Sequence, residues 1–173
     1  MHLLIDQSHW SDTVQLSQVV PWGRNFNEYC AMFNLTDRDL NKNILGCGDG
    51  PASFNAELTR RGGQIISVDP IYAFDQADLK NRIALAYNDV LAHVNAHQDQ
   101  FNWTQFESPE QLGKCRIAAM QDFLKDYPNG RSQSRYLAQA LPDLTFTDQY
   151  FDLALCSHFL FLYTAHFDLD FHR

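Results

Sequence analysis

Three glycines at alternate positions, Gly46, Gly48 and Gly50, run into Pro51, and an acid, Asp69, stands 21 residues after the middle one. These are the residues whose types and spacing point most directly to chemistry. A glycine lacks the Cβ that would block positive φ values and hold a ligand away from backbone N–H groups, so such a turn can cradle a small molecule. A carboxylate at the tip of the neighbouring strand can accept hydrogen bonds from both hydroxyls of a ribose. Together the two predict an adenosine-containing cofactor. The dinucleotide fingerprint fits less well. Starting from Gly46 and Gly48 it demands a small residue where Pro51 stands, and shifting to Gly48 and Gly50 brings it to Ser53, an atypical match. An NAD(P)-dependent oxidoreductase therefore remains an alternative.

The elements that must hold these residues alternate in type. Residues 43–47 read as a short buried strand running into the glycines, and Pro51 suits the first turn of a helix that carries Phe54 and Leu58 and stops at Gly62-Gly63. Residues 64–68 are a second strand, rich in β-branched side chains and closed by Asp69-Pro70. Two helices form an insertion over about residues 75–128. One has Leu79, Ile83, Tyr87, Val90 and Val94 at helical spacing; the other is opened by Ser108-Pro109-Glu110-Gln111, carries Ile117, Met120, Leu124 and Tyr127, and ends at Pro128-Asn129-Gly130. Residues 135–140 and 151–156 are the third and fourth strands. Upstream, Asn25 and Glu28 make a capping box for a helix with Phe26, Tyr29 and Phe33 on one face. Helices between successive strands imply an α/β fold with a parallel sheet, in one domain spanning 1–173, with N-terminal cover helices over 1–42 and a core over 43–160.

Composition narrows the partners. With 173 residues and 45% hydrophobic content, the chain can bury a core without staples. Its formal net charge of −8 repels phosphate backbones and anionic lipid, which leaves a small molecule as the expected partner rather than nucleic acid or membrane. Cys30, Cys47, Cys115 and Cys156 show no C-x-x-C spacing, which fits a reducing cytoplasm and neither a zinc knuckle nor a disulfide framework. The N-terminus has an acid by Asp6 and no basic region, and no apolar run approaches the roughly 18 residues of a membrane span. We therefore expect a cytoplasmic chain without a leader or anchor.

At Ile44-Leu45-Gly46-Cys47-Gly48-Asp49-Gly50 the chain resembles the class I S-adenosylmethionine-dependent methyltransferases, whose first motif is commonly a strand ending in Leu-Gly-Cys-Gly-x-Gly. The resemblance extends to Ser67-Val68-Asp69-Pro70, to Leu144-Thr145-Phe146 and to the stretch from Tyr150 to His158, covering roughly residues 24–160. It implies a Rossmann-like three-layer αβα sandwich with strand order 3-2-1-4, truncated after the fourth of the family's strands, and an S-adenosylmethionine cofactor whose methyl goes to a small acceptor. By the same resemblance Gly46, Cys47 and Gly48 line the methionine part, Asp69 the ribose and Pro70 the adenine edge, with Gly50 also counted among the cofactor-binding residues. Ala140 and Leu141 would contact adenine, and Cys156 and Ser157 would close the floor. Ile44 and Ala140 stand where many relatives carry acids. An open fourth strand invites pairing with another chain, so the expectation is either a homodimer through that edge or a longer protein.

Other residues carry weaker signals. His158, just past the fourth strand, is placed to take a proton from an acceptor, or else to cap the strand end. Arg24 and Tyr29 flank the first helix and could meet a cofactor carboxylate and shield a sulfonium, or be a solvated arginine and a core tyrosine. His166, Asp168, Asp170 and His172 alternate, but a helix cap explains the aspartates more simply than a metal does; His93 and His97 lack the flanking glutamate of a protease motif. No metal is expected. A non-catalytic nucleotide-cofactor-binding module is the remaining alternative.

Overall fold

The computed structural model describes residues 22–100 and 103–157. Four parallel strands form one sheet in the order β3-β2-β1-β4: β1 Asn43–Cys47, β2 Gln64–Val68, β3 Tyr136–Leu137 and β4 Leu153–Cys156. The expected α/β Rossmann-like sandwich is the observed one. Register puts Gly46 beside Ser67 and Leu155, and Cys47 beside Val68 and Cys156. The carboxyl ends of β1, β2 and β4 therefore share one edge of the sheet. β3 and β4 are shorter than the sequence suggests; Arg135, Phe151 and Asp152 fall outside the ladder.

Helix α1, Phe26–Phe33, starts at the Asn25–Glu28 capping box and buries Phe26 and Tyr29. A one-turn helix, α2, Asp37–Leu40, has its own capping box, Thr36 with Asp39, and buries no residue, so no apolar periodicity marks it in the sequence. Helix α3, Phe54–Arg60, begins three residues after Pro51, which lies in the turn rather than at the helix's first position. One core forms where α1 and α3 meet the sheet, from Phe26, Tyr29, Phe54 and Leu58 against Ile44, Ile65 and Leu155. Each such side chain contributes on the order of 1.5–3 kcal/mol when fully buried. The opposite face, with Leu45, Cys47 and Val68, is covered among the described residues by half-buried Leu137, Leu141, Leu144, Phe146 and Phe151.

The insertion consists of α4, Gln76–Ala96, and α5, Pro109–Ser132. Ser108 caps α5 by accepting from the Gln111 N–H, as the sequence predicts. Pro128 does not end it. A proline leaves the carbonyl four residues earlier without a helical donor, and that carbonyl, on Leu124, accepts instead from Gln76 Nε2 at 2.7 Å. Gly130 extends the helix usefully because a Cβ there would lie 2.3 Å from the Tyr136 ring. Tyr136 belongs to an aromatic cluster with Tyr72, Phe123 and Tyr127 that joins α5 to β3.

Candidate functional site

The glycine turn and Asp69 meet. The Gly50 N–H donates to Asp69 Oδ2 at 2.9 Å, and the Ile71 N–H donates to Oδ1 at 2.9 Å, as the first bond of a 3-10 turn over Pro70–Ala73. Gly48 and Gly50 take φ values of +64° and +55°, the left-handed conformation for which glycine is suited. A Cβ at Gly50 would meet nothing within 4 Å. The turn is not bare main chain, however, and this corrects the sequence reading. Gly48 N–H is taken by the Val68 carbonyl at 2.9 Å and Gly50 N–H by Asp69.

Under the turn sits a further carboxylate, for which the sequence motif carries no role. Asp49 is buried, accepting from Tyr29 Oη at 2.8 Å and from Ser67 Oγ at 2.6 Å. Gly46 makes room for it, since a Cβ there would stand 1.9 Å from Asp49 Oδ2. Burial pushes the Asp49 carboxyl up to about 6 against the pull of its two hydroxyl donors, and nearby Asp69 adds to the rise. Burial likewise raises Asp69, opposed by its two backbone N–H donors. The one polar residue in the apolar run Ile65-Ile66-Ser67-Val68 was the signal that something polar faced it.

From Ser67 the hydrogen bonding continues across the sheet. Asn55 Nδ2 donates to Ser67 Oγ at 3.0 Å, Arg135 Nη1 donates to Asn55 Oδ1 at 2.7 Å, and Arg135 forks onto Asp126 at 2.7 and 2.8 Å. Tyr29 proves to be a core residue in its ring, stacked on Phe54 at 4.6 Å, and a site residue in its hydroxyl. That hydroxyl also makes a long 3.5 Å contact to Ser157 Oγ.

Other expected site residues are spread unevenly. Cys47, Leu141 and Cys156 lie in one apolar cluster with Leu45 and Val68. Burial, with Asp49 and Cys156 adding to it, pushes the Cys47 thiol up to about 12, so it is a space-filling group and not a nucleophile. Pro70 is exposed, and Ala140 is exposed after β3. Arg24 is half-buried rather than solvated, and its carbonyl accepts from the Ser53 N–H at 3.0 Å, which clips the N-terminal segment onto the turn. His93 and His97 are in ring contact at 4.3 Å, and no group of three or more metal-ligating side chains occurs among the described residues. His158 and the His166–His172 stretch lie outside the described residues. Among the described residues no helix is long and apolar enough to cross a membrane.

Fold and turn together define an α/β Rossmann-like protein whose strand tips converge on a glycine turn and one acid. Over 161 residues the chain is 32% identical to a protein of Methanocaldococcus jannaschii described as uncharacterized protein MJ0045, an alignment covering 92% of this chain and 72% of that one. The chain belongs to the same family as that protein. No protein-family profile and no solved structure matches it.

Proposed function

We propose that the protein is an S-adenosylmethionine-dependent methyltransferase acting on a small molecule in the cytoplasm. The observation that carries this reading is the 2.9 Å bond between Gly50 N–H and Asp69 Oδ2, which brings the turn and the ribose-type acid to one point at the strand tips. Each Asp69 oxygen keeps a second lone pair for a ribose hydroxyl. The turn also favours this cofactor over a dinucleotide. A pyrophosphate is held by unspent N–H groups, and those of Gly48 and Gly50 are already committed to Val68 and Asp69. Four free thiols suit a reducing compartment.

When bound, S-adenosylmethionine supplies an electrophilic methyl on a sulfonium. The chain's task is then alignment and exclusion of water rather than acid–base chemistry. Asp69 would orient the ribose. Leu141, beside Cys47 and Cys156, would offer the adenine an apolar wall. Among the described residues β4 pairs on one side, with β1, and its other edge is where a homodimer would form; sedimentation at two concentrations reports on that.

Calorimetry tests the cofactor. S-adenosylhomocysteine is expected to bind, and Asp69→Asn to weaken it about tenfold, the value of one charge-assisted hydrogen bond. Binding of NAD without S-adenosylhomocysteine would overturn the reading in favour of an oxidoreductase. Cofactor binding without transfer of a labelled methyl to any acceptor would favour a non-catalytic module.

A further inference from the structure

Gly50 sets the geometry of the turn, and hydrogen bonds are what hold it. Its φ is +55° and a Cβ built there would meet nothing within 4 Å, so side-chain packing does not fix a residue whose type has the widest backbone freedom. Both of its backbone polar groups are instead held by the segment that follows β2. The N–H donates to Asp69 Oδ2 at 2.9 Å, and the carbonyl accepts from Tyr72 Oη at 2.8 Å. Tyr72 lies in the 3-10 turn that Asp69 itself caps, with its N–H on the Asp69 carbonyl at 3.1 Å. The acid and the tyrosine thus grip the glycine from its two sides.

The surroundings of Tyr72 keep that grip in place. It is 1% exposed and packs against rings of α5 and β3, with Tyr136 edge-on at 5.2 Å and Phe123 and Tyr127 each at 6.0 Å. The Tyr127 hydroxyl shares its one proton between the Tyr72 and Phe74 carbonyls, 2.9 Å from each, which ties the 3-10 turn to α5. Burial, with the Asp49 and Asp69 carboxylates adding to it, holds the Tyr72 phenol well above its ordinary range, so it keeps its proton and stays a donor.

The consequence falls on Asp69. Its Oδ1 is pinned by the Ile71 N–H inside the acid's own turn, whereas Oδ2 relies on Gly50. Rotation of Gly50 would release Oδ2 and let the carboxylate swing about its remaining bond. A carboxylate fixed in advance meets both hydroxyls of a vicinal diol without the cost of ordering it. We propose that Tyr72 is a positioning residue of the site, holding Gly50 so that both Asp69 oxygens face the two hydroxyls of a ribose. This rests on the ribose role given to Asp69 above.

The test is calorimetry on the full chain with adenosine and with 2′,3′-dideoxyadenosine, which lacks both hydroxyls; the readout is the ratio of their dissociation constants. The parent is expected to bind adenosine at least about tenfold more tightly, the effect of hydrogen bonds to a carboxylate. Tyr72→Phe keeps the ring in its aromatic cluster. It is expected to reduce the ratio to about threefold or less, and to change it no further in an Asp69→Asn background. A merely structural hydroxyl would weaken both nucleosides alike, so an unchanged ratio overturns the proposal. Tyr136→Phe removes a hydroxyl of the same cluster that bonds Asp126 rather than the turn. The ratio is expected to stay at the parent value there, and an equal fall would overturn the proposal too. Should Tyr72→Phe not fold, Tyr127→Phe carries the test: a lowered ratio supports the assignment and an unchanged one overturns it. Equal binding of the two nucleosides by the parent removes the diol contact and the proposal with it. If the parent binds adenosine with the expected preference but not S-adenosylhomocysteine, the methyltransferase reading fails, while a fall in Tyr72→Phe still upholds the role of Tyr72. If S-adenosylhomocysteine binds and the ratio survives in Tyr72→Phe, the role of Tyr72 alone fails. A parent that binds neither overturns both.

Discussion

Asp49 is the residue at which stability and site chemistry meet. Its carboxyl is raised from an ordinary 3.8 to about 6, chiefly by burial. The folded protein therefore binds a proton in the window between those values that the unfolded chain has released. Stability is highest below about pH 4 as far as this group is concerned, and falls as pH rises through 6, by on the order of 3 kcal/mol for a shift of about two units. Asp49→Asn keeps an acceptor for Tyr29 or Ser67 and loses the titration. The difference in urea-unfolding free energy between variant and parent is expected to grow in the variant's favour from pH 4 to pH 6 and then level off. A constant difference across that range would mean that Asp49 does not titrate there.

At the scale of elements, α5 shows how a helix passes through a proline. Local sequence predicts an end at Pro128-Asn129-Gly130, because a proline removes a donor and a glycine commonly follows a helix end. The contact that overrode this, Gln76 Nε2 to the Leu124 carbonyl, comes from a residue 48 positions away. Gln76→Ala is expected to cost about 0.5–1.5 kcal/mol in the parent, and less in a Pro128→Ala background where the backbone supplies its own donor. Thermal unfolding of the four members of this cycle measures the coupling; purely additive effects would remove the explanation. β1 and β2, in contrast, lie where the sequence places them, because a run of apolar residues closed by glycine or by Asp69-Pro70 signals its limits locally. β3 and β4 are shorter than the sequence suggests, although backbone bonds still tie their flanks to the neighbouring strands, the Asp152 N–H donating to the Asn43 carbonyl at 2.9 Å and the Ser67 N–H to the Arg135 carbonyl at 2.8 Å.

Across the whole molecule, the polar chain from Tyr29 through Asp49, Ser67, Asn55 and Arg135 to Asp126 ties the glycine turn to β3 and α5. Asn55 is its joint, 1% exposed, and also donates to the Arg135 carbonyl at 3.1 Å. Asn55→Ala leaves Arg135 and Ser67 each short of a partner and is expected to cost about 3 kcal/mol, read as a lower urea midpoint with an unchanged slope. A loss well under 1 kcal/mol would mean that water or rotamer changes satisfy those groups. The sequence by itself determined the α/β alternation, the glycine turn and the acid that meets it, since strand limits, positive-φ positions and the β-α-β order are written in neighbouring residues. Tertiary structure alone decided that the turn's N–H groups are spent, that Asp49 is buried beneath it, and that Arg116 pairs with Glu28. Those outcomes depend on residues far apart in the chain, whose burial and pairing exist only once the sheet and helices have packed.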